Sequence, residues 1–410
     1  MQSDWKRNII LFLTSQTISY FGSLVVGYAI FWYITLQTES GLMMTVSIVA
    51  EYLPTFFLSP FAGVWADRHN RKWLIVLSDG LTAFATLILA LVFLAGYKSI
   101  WLLFAMSAVR SVGAGVQMPA VGAILPDMVP EDQLTRVNAA NSSIRAIVSL
   151  ISPMASATLL SVIPIEPIFF IDAATAAIAI FTMLAWVRVS THPKAMQAQQ
   201  NGYLDDLREG VRYVRRHAYL KAFLVFCAIF FVLAAPGAFL TTLQVARSFG
   251  EEVWRLSAIE VAYSLGMMLG GAIIGAWGGF RNRVHTMALS VAIVGICTVA
   301  LGVVPVFWIY LLFMATIGIA MPMFNTPANV LLQEKVETDF LGRIFGILSM
   351  ITSSMMPLGM VVFGPIADLI PIEWLLVGTG LVQFLMSFAL LGSRPLVEAG
   401  RNPSKAHANP

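Results

Sequence analysis

The sequence predicts an all-α membrane protein of twelve transmembrane helices, arranged as two pseudo-symmetric six-helix bundles. Three observations predict it. Of 410 residues, 58% are hydrophobic and 11% are charged, against roughly 45–50% and 25% in a soluble domain. Apolar stretches of about 20 residues recur along the whole chain, each long enough to cross a hydrocarbon core of about 30 Å as a helix. The first half also returns in the second: Pro119-Ala120, Val129, Leu134 and Arg136 reappear as Pro327-Ala328, Val336, Leu341 and Arg343, with identical spacing from Val to Arg.

Charged and turn-forming residues punctuate the apolar runs. They place six spans near 8–36, 42–65, 73–96, 99–124, 137–162 and 167–187, and six more near 220–244, 254–279, 284–304, 306–328, 342–368 and 373–392. The one long polar interval, 188–219, carries Lys194, Arg208, Arg212, Arg215 and Arg216. The expected organisation is an N-terminal bundle over 1–187, a cytoplasmic linker over 188–219, a C-terminal bundle over 220–392 and a cytoplasmic tail over 393–410. The start, with Lys6 and Arg7, looks like a signal peptide but lacks a small-residue cleavage site, and is read as the cytoplasmic end of helix 1.

Basic residues stay on the cytoplasmic side in short loops. With both termini inside, the 25 Lys and Arg residues fall on that side except for Lys98, Arg247 and Arg255 opposite, and Arg110 and Arg145 within the membrane. This sorting by side is unlike a nucleic-acid footprint. Cys227 and Cys297 lie in apolar segments and behave as small hydrophobes. The histidines sit in loops, tails or helix ends, and neither a zinc-protease motif nor a P-loop occurs. The sequence therefore points away from an enzyme and from a bound cofactor or metal. Parallel six-helix repeats instead belong to a transporter architecture, with the substrate between the halves near the midplane.

A charge at the bilayer centre costs about 2.5–3.5 kcal/mol on insertion scales, so each one asks for a partner or a task. Glu51 in helix 2 and Arg110 in helix 4 fall at similar depth, and Asp79 and Arg145 form a second candidate pair. Asp172 and Asp368 fall nearer the outer ends of their helices. Desolvation raises a carboxyl pKa and a nearby arginine lowers it, so a movement that changes their separation loads or releases a proton. Glu51 is the expected proton carrier and Arg110 its modulator; a static ion pair is the plain alternative. Gln16 and Tyr20 on helix 1, with Trp32, Phe239, Glu260 and Tyr263, are the candidate lining of an adaptable cavity, with ordinary packing as the alternative for each. Gly266, Gly270, Gly271 and Gly275 form overlapping small-xxx-small patterns that let helices approach. Pro236-Gly237, Pro322, Pro327 and Pro357 permit bends.

The loop after helix 2 reads Gly63-Val64-Trp65-Ala66-Asp67-Arg68-His69-Asn70-Arg71-Lys72, and resembles the signature between helices 2 and 3 of the major facilitator superfamily. The resemblance implies the major facilitator fold and a cytoplasmic gate at Gly63, Asp67, Arg68 and Arg71, in which the aspartate and the two arginines form a charge network that opens and closes as the halves rock. The second half keeps a remnant, Gly275 to Arg283, with Gly279 where Asp67 stands. Arg110-Ser111-Val112-Gly113-Ala114-Gly115 is similar to the helix 4 motif of proton-coupled members. Ser152-Pro153-Met154-Ala155-Ser156-Ala157 stands where antiporters of the family show a Gly-Pro and a glycine pair. Whole segments, 67–72, 129–135 and Ser152-Pro153, look like the bacterial macrolide-efflux branch of drug:proton antiporters. That likeness implies export of small amphipathic drugs across the bacterial cytoplasmic (inner) membrane, driven by the proton gradient and carried out by a monomer, with multidrug and antibiotic resistance as the consequence. A proton-linked uptake permease and a lipid flippase on the same fold are the alternatives.

Overall fold

The computed structural model describes residues 4–187 and 203–401. The first half runs α1 (Asp4–Thr38), α2 (Gly41–Arg68), α3 (Arg71–Leu94), α4 (Ile100–Met128), α5 (Glu131–Val162) and α6 (Ile165–Ala185). After α7 (Tyr203–Arg216), the second half runs α8 (Ala218–Ala235), a π-helical turn (Pro236–Leu240), α9 (Thr241–Phe249), α10 (Val253–Trp277), α11 (Arg283–Leu301), α12 (Phe307–Lys335), α13 (Thr338–Ile366), α14 (Ile372–Gly392) and the short α15 (Arg394–Ala399). Twelve of these segments are long and apolar enough to cross a membrane, with α8 through α9 counted as one. The chain is a multi-pass membrane protein of twelve spans, as its apolar runs predict. Among the described residues an isolated bridge between Asn282 and Arg401 is the only strand-like pairing.

Where boundaries differ from expectation, the helices are longer on the side with the polar loops. α4 continues to Met128, α5 starts at Glu131, and α12 continues to Lys335. A helix satisfies its own backbone whatever its side chains meet, so it ends at a breaker and not where apolar composition ends. Pro130 and Val336 supply the extended residues that stop these runs. The interval expected to be a plain linker contains α7. Residues 188–202 of that interval, with Lys194, and the tail beyond 401 lie outside the described residues.

The helices gather into two compact units: unit 1 is Met1–Thr38, Val46–Gln200 and Glu252–Ser257, and unit 2 is Glu39–Thr45, Asn201–Glu251 and Ala258–Pro410. One end of unit 1 is closed by an apolar cluster of Ile9, Phe12, Ile75, Ile124, Leu125 and Met183. Unit 2 is centred on Phe226, Phe230 and Phe324, whose rings stack or tilt on one another with centroids 5.4–6.2 Å apart. Large side chains such as Phe57, Phe84, Trp308 and Leu312 are exposed, a surface suited to lipid and not to water.

The repeat is visible in detail at one corner of each unit. Asn70 caps α3, its side chain accepting from the Lys72 amide at 3.0 Å. Asn282 caps α11 in the same way, accepting from Val284 at 3.0 Å. The approaches to these caps differ. In the first half α2 runs on through Arg68, whereas α10 stops at Trp277 and the chain turns through Gly278 and Gly279, with φ of 75° and 80°. An L side chain is strained there, so the second loop keeps glycine where the first carries Asp67.

Candidate functional site

Helix α1 presents Gln16, Ser19, Tyr20 and Ser23 at helical spacing, so the four fall along one face, and that face meets the charged residues of unit 1. The outer layer is built around Asp172 on α6, whose side chain is 1% exposed. Arg110 Nη1 donates to its Oδ2 at 2.5 Å, Thr86 Oγ1 donates to the same oxygen at 2.9 Å, and Ser23 Oγ donates to Oδ1 at 2.8 Å. Arg110 Nη2 donates to the Ser23 carbonyl at 2.5 Å. Four helices thus converge on one carboxylate, and both charges are neutralised by partners with good geometry.

The inner layer is built around Asp79 on α3 and contains no cation among the described residues. Ser19 Oγ donates to Asp79 Oδ1 at 2.9 Å, and Gln117 Nε2 donates to the same oxygen at 2.7 Å and to Gln16 Oε1 at 3.3 Å. Asp79 Oδ2 and Gln16 Nε2 are buried without a hydrogen-bond partner. Arg145 does not join this layer: its guanidinium lies over the Tyr20 ring, 4.9 Å from the centroid, and the Tyr20 hydroxyl is 3.5 Å from Ser149 Oγ. The expected Asp79–Arg145 pair is therefore not formed, because α1 stands between the two and offers Ser19 to α3 and Tyr20 to α5.

Glu51 lies about 15 Å along α2 from Gly41, with its side chain exposed. One turn on, Thr55 Oγ1 donates to the Ser111 carbonyl at 2.7 Å and its amide donates to Ser111 Oγ at 3.1 Å. That contact brings α2 against α4 at the residue next to Arg110. The direct ion-pair partner of Arg110 is Asp172, a residue the sequence placed nearer the outer end of its helix. Matching depths alone had favoured Glu51; the length of the arginine side chain, which lets it reach a carboxylate on another level, was the available signal.

At one end of unit 1, Arg71 donates to Asp127 at 2.6 Å and to the Ala123 carbonyl at 2.8 Å. Of the other gate candidates, helix α2 includes Gly63, Asp67 and Arg68, but their side chains lie outside the described residues. At the opposite end Lys98 pairs with Glu166, and this pairing raises the lysine pKa. Of the cavity candidates, Gln16 belongs to the layer around Asp79 and Tyr20 packs beneath Arg145 on the α5 side. Trp32 is fully buried, its ring tilted against Tyr28 at 5.2 Å; a side chain with no free surface is core and not cavity wall. In unit 2, Phe239 sits in the π-helical turn, and Glu260 and Tyr263 are half-buried one turn apart on α10.

Unit 2 also contains a capped corner that the sequence did not announce. Asp368, between α13 and α14, accepts from the Gly41 amide at 2.7 Å, the Leu42 amide at 2.9 Å, Ser40 Oγ at 2.8 Å and Arg247 Nη2 at 3.1 Å. Burial alone would raise its pKa, but these donors outweigh it and hold the carboxyl below its usual value of 3.8. A carboxyl lowered on folding contributes stability above its unfolded pKa and loses it as pH falls through the folded value. Thermal unfolding of the wild type should therefore fall more steeply than that of Asp368→Asn as pH drops below about 4. Parallel curves for the two proteins would remove Asp368 from the acid response.

The sequence profile described as Major Facilitator Superfamily matches residues 12–360. Macrolide efflux protein A of Streptococcus pyogenes is 28% identical over 383 residues, covering 93% of this chain and 94% of that protein. Multidrug efflux pump Tap of Mycobacterium bovis (strain BCG / Pasteur 1173P2) is 20% identical over 371 residues, covering 88% and 86%. A solved POT family transporter in complex with 5-aminolevulinic acid superposes with a TM-score of 0.75 at 14% identity, over 95% of this chain and 96% of that one.

Proposed function

This chain belongs to the Major Facilitator Superfamily, and from that premise we propose that it exports amphipathic small molecules of the macrolide and drug type by proton antiport. Transport proceeds by alternating access, as fits two repeated halves. The chain sits in a bacterial inner membrane with both termini cytoplasmic, in keeping with the sorting of its basic residues. The efflux relatives support the direction and the substrate class. The observation that carries the coupling is the division of labour in unit 1: Arg110 is already neutralised by Asp172, whereas Glu51 and Asp79 have no cation in hydrogen-bond contact among the described residues.

A carboxylate in the membrane without a bound cation is expensive as an anion, which makes Glu51 and Asp79 the groups that take up and give back the proton. Glu51 is exposed and is the carrier; Arg110, on the helix that the Thr55–Ser111 contact fastens to α2, favours proton release when the helices bring the two together. Asp79, tied to Ser19 and Gln117, reports on the position of α1 and α4. Arg71 with Asp127, and the neighbouring Gly63, Asp67 and Arg68, form the cytoplasmic gate. One pH unit supplies about 1.36 kcal/mol and 100 mV about 2.3 kcal/mol per charge to the uphill step. The chain itself needs no cofactor for this.

The test is accumulation of a labelled macrolide and of a lipophilic cationic dye in pump-deficient bacteria, with and without the protein, before and after a protonophore. Lower accumulation that the protonophore abolishes is the expected result. Glu51→Gln, present at wild-type level in the membrane, is expected to lose at least tenfold in export rate, equivalent to about 1.4 kcal/mol. Wild-type export with an unaltered pH profile from that variant would reject Glu51 as the carrier, and unchanged accumulation with folded wild-type protein would reject export of these substrates.

A further inference from the structure

The contacts of helix α7 among the described residues fall along one side. Tyr213 stacks on Phe340 with centroids 4.3 Å apart, and its hydroxyl accepts from the Glu337 amide at 3.4 Å. Gly210 lies against Arg343 and Ile347, where an added Cβ would come within 3.2 Å and 3.1 Å of them. Glu209 pairs with Arg343 at 3.1 Å. These contacts fasten α7 to the first three turns of α13 within unit 2.

The other side is a row of arginines. Arg208, Arg212 and Arg215 recur at i, i+4 and i+7, Arg216 flanks them, and all four are exposed with Val211 beside them. None of the four has an ion pair or hydrogen bond with a described residue. Lys221, on the first turn of α8, is exposed as well. The docking to α13 leaves α7 no freedom to turn this face elsewhere.

Depth identifies what the row meets. The spans of unit 2 beside α7 begin at Ala218 and Phe340, two residues beyond the end of α7 and at its stacking partner. The helix therefore lies at the level of the lipid headgroups. Every basic residue of α7 is arginine and none is lysine. The guanidinium fork matches phosphate oxygens, whereas lysine suits a merely hydrated surface equally well. A basic cluster directly beside a span attracts acidic lipid, and the apolar stems of arginine, with Val211, suit the boundary between headgroup and acyl chain.

We propose that the exposed arginine face of α7 binds the headgroups of anionic phospholipids, and so fastens the segment between the two halves to the bilayer surface. The probes are phosphatidylglycerol and phosphatidylcholine, offered in equal amounts to the purified full chain and counted on the protein by native mass spectrometry. The wild type should retain phosphatidylglycerol in preference. Replacing Arg208, Arg212, Arg215 and Arg216 by Gln should lower that preference by roughly fivefold per arginine removed, with unfolding in phosphatidylcholine unchanged. The corresponding Lys variant should keep part of it.

A second measurement does not depend on the stability of these variants. A fluorophore on Val211→Cys in the otherwise native chain, where Cys227 and Cys297 are buried, should be quenched by brominated phosphatidylglycerol more than by brominated phosphatidylcholine. Equal quenching by the two lipids, or equal retention by wild type and the Gln variant, would overturn the proposal and leave the row as a solvated face or a site for a protein.

Discussion

Asp172→Asn is expected to destabilise the protein by about 3–5 kcal/mol, the range for removing one partner of a buried ion pair. The asparagine keeps the shape and accepts from Ser23 or Thr86, but it leaves the Arg110 guanidinium with an uncompensated charge in a site where Asp172 is 1% exposed. Arg110 has one other strong acceptor, the Ser23 carbonyl, which does not neutralise it. The double variant Arg110→Gln with Asp172→Asn should recover much of the loss, because it removes both charges together. The measurement is thermal unfolding in detergent of the four proteins of the cycle, alongside export at matched expression. Additive losses would mean that the pair is not an energetic unit. A stable Asp172→Asn protein with normal export would dismantle the outer layer as described.

The second large effect is expected at Gly266 in α10. A Cβ built there stands 2.1 Å from the Ala315 carbonyl oxygen and 3.0 Å from Gly318 Cα, and a Cβ on Gly318 would stand 2.2 Å from the Tyr263 carbonyl. Both obstacles are backbone, so no side chain can move aside and α10 and α12 have to separate. Overpacking of a core typically costs about 1–3 kcal/mol; for Gly266→Val the loss should reach or exceed the top of that range. Gly271, one residue beyond Gly270 on the same helix, has nothing within 4 Å of its added Cβ. Gly271→Ala should be neutral, or stabilising by about 0.5–1 kcal/mol through reduced backbone freedom of the unfolded chain. Unfolding temperatures decide it, and equal behaviour of the two variants would refute the close approach.

Much of the fold was legible because membrane spans declare themselves by apolar length, and each of the twelve expected spans has a helix in place. What length does not report is rotation about the helix axis. Glu51 matches Arg110 in depth and Asp172 does not, yet the facing of α6 and the length of the arginine side chain give the contact to Asp172. Asp79 and Arg145 matched in depth too, yet they face opposite sides of α1. The four glycines of α10 read alike in sequence, and only Gly266 and Gly270 meet a neighbouring backbone. Helix α7 escaped notice because its apolar side is narrow, centred on Gly210 and Tyr213, within a strongly charged interval. The gate motif was legible as sequence, and Arg71 with Asp127 is the part of it whose contacts are described.

The π-helical turn at Pro236–Leu240 changes how the seventh span is to be counted. A turn of this kind takes in one residue more than an α-helical one, so everything beyond it is set back by about 100° relative to an uninterrupted helix. Gln244 owes its direction to that offset: its Nε2 donates to the Leu301 carbonyl at 3.0 Å and its Oε1 accepts from Tyr310 at 2.9 Å. The span is thus written in two phases, one set by Phe223, Phe230 and their neighbours and another by Thr241 to Ala246. A face traced from Ala218 by steps of three and four residues slips off its true course at Pro236.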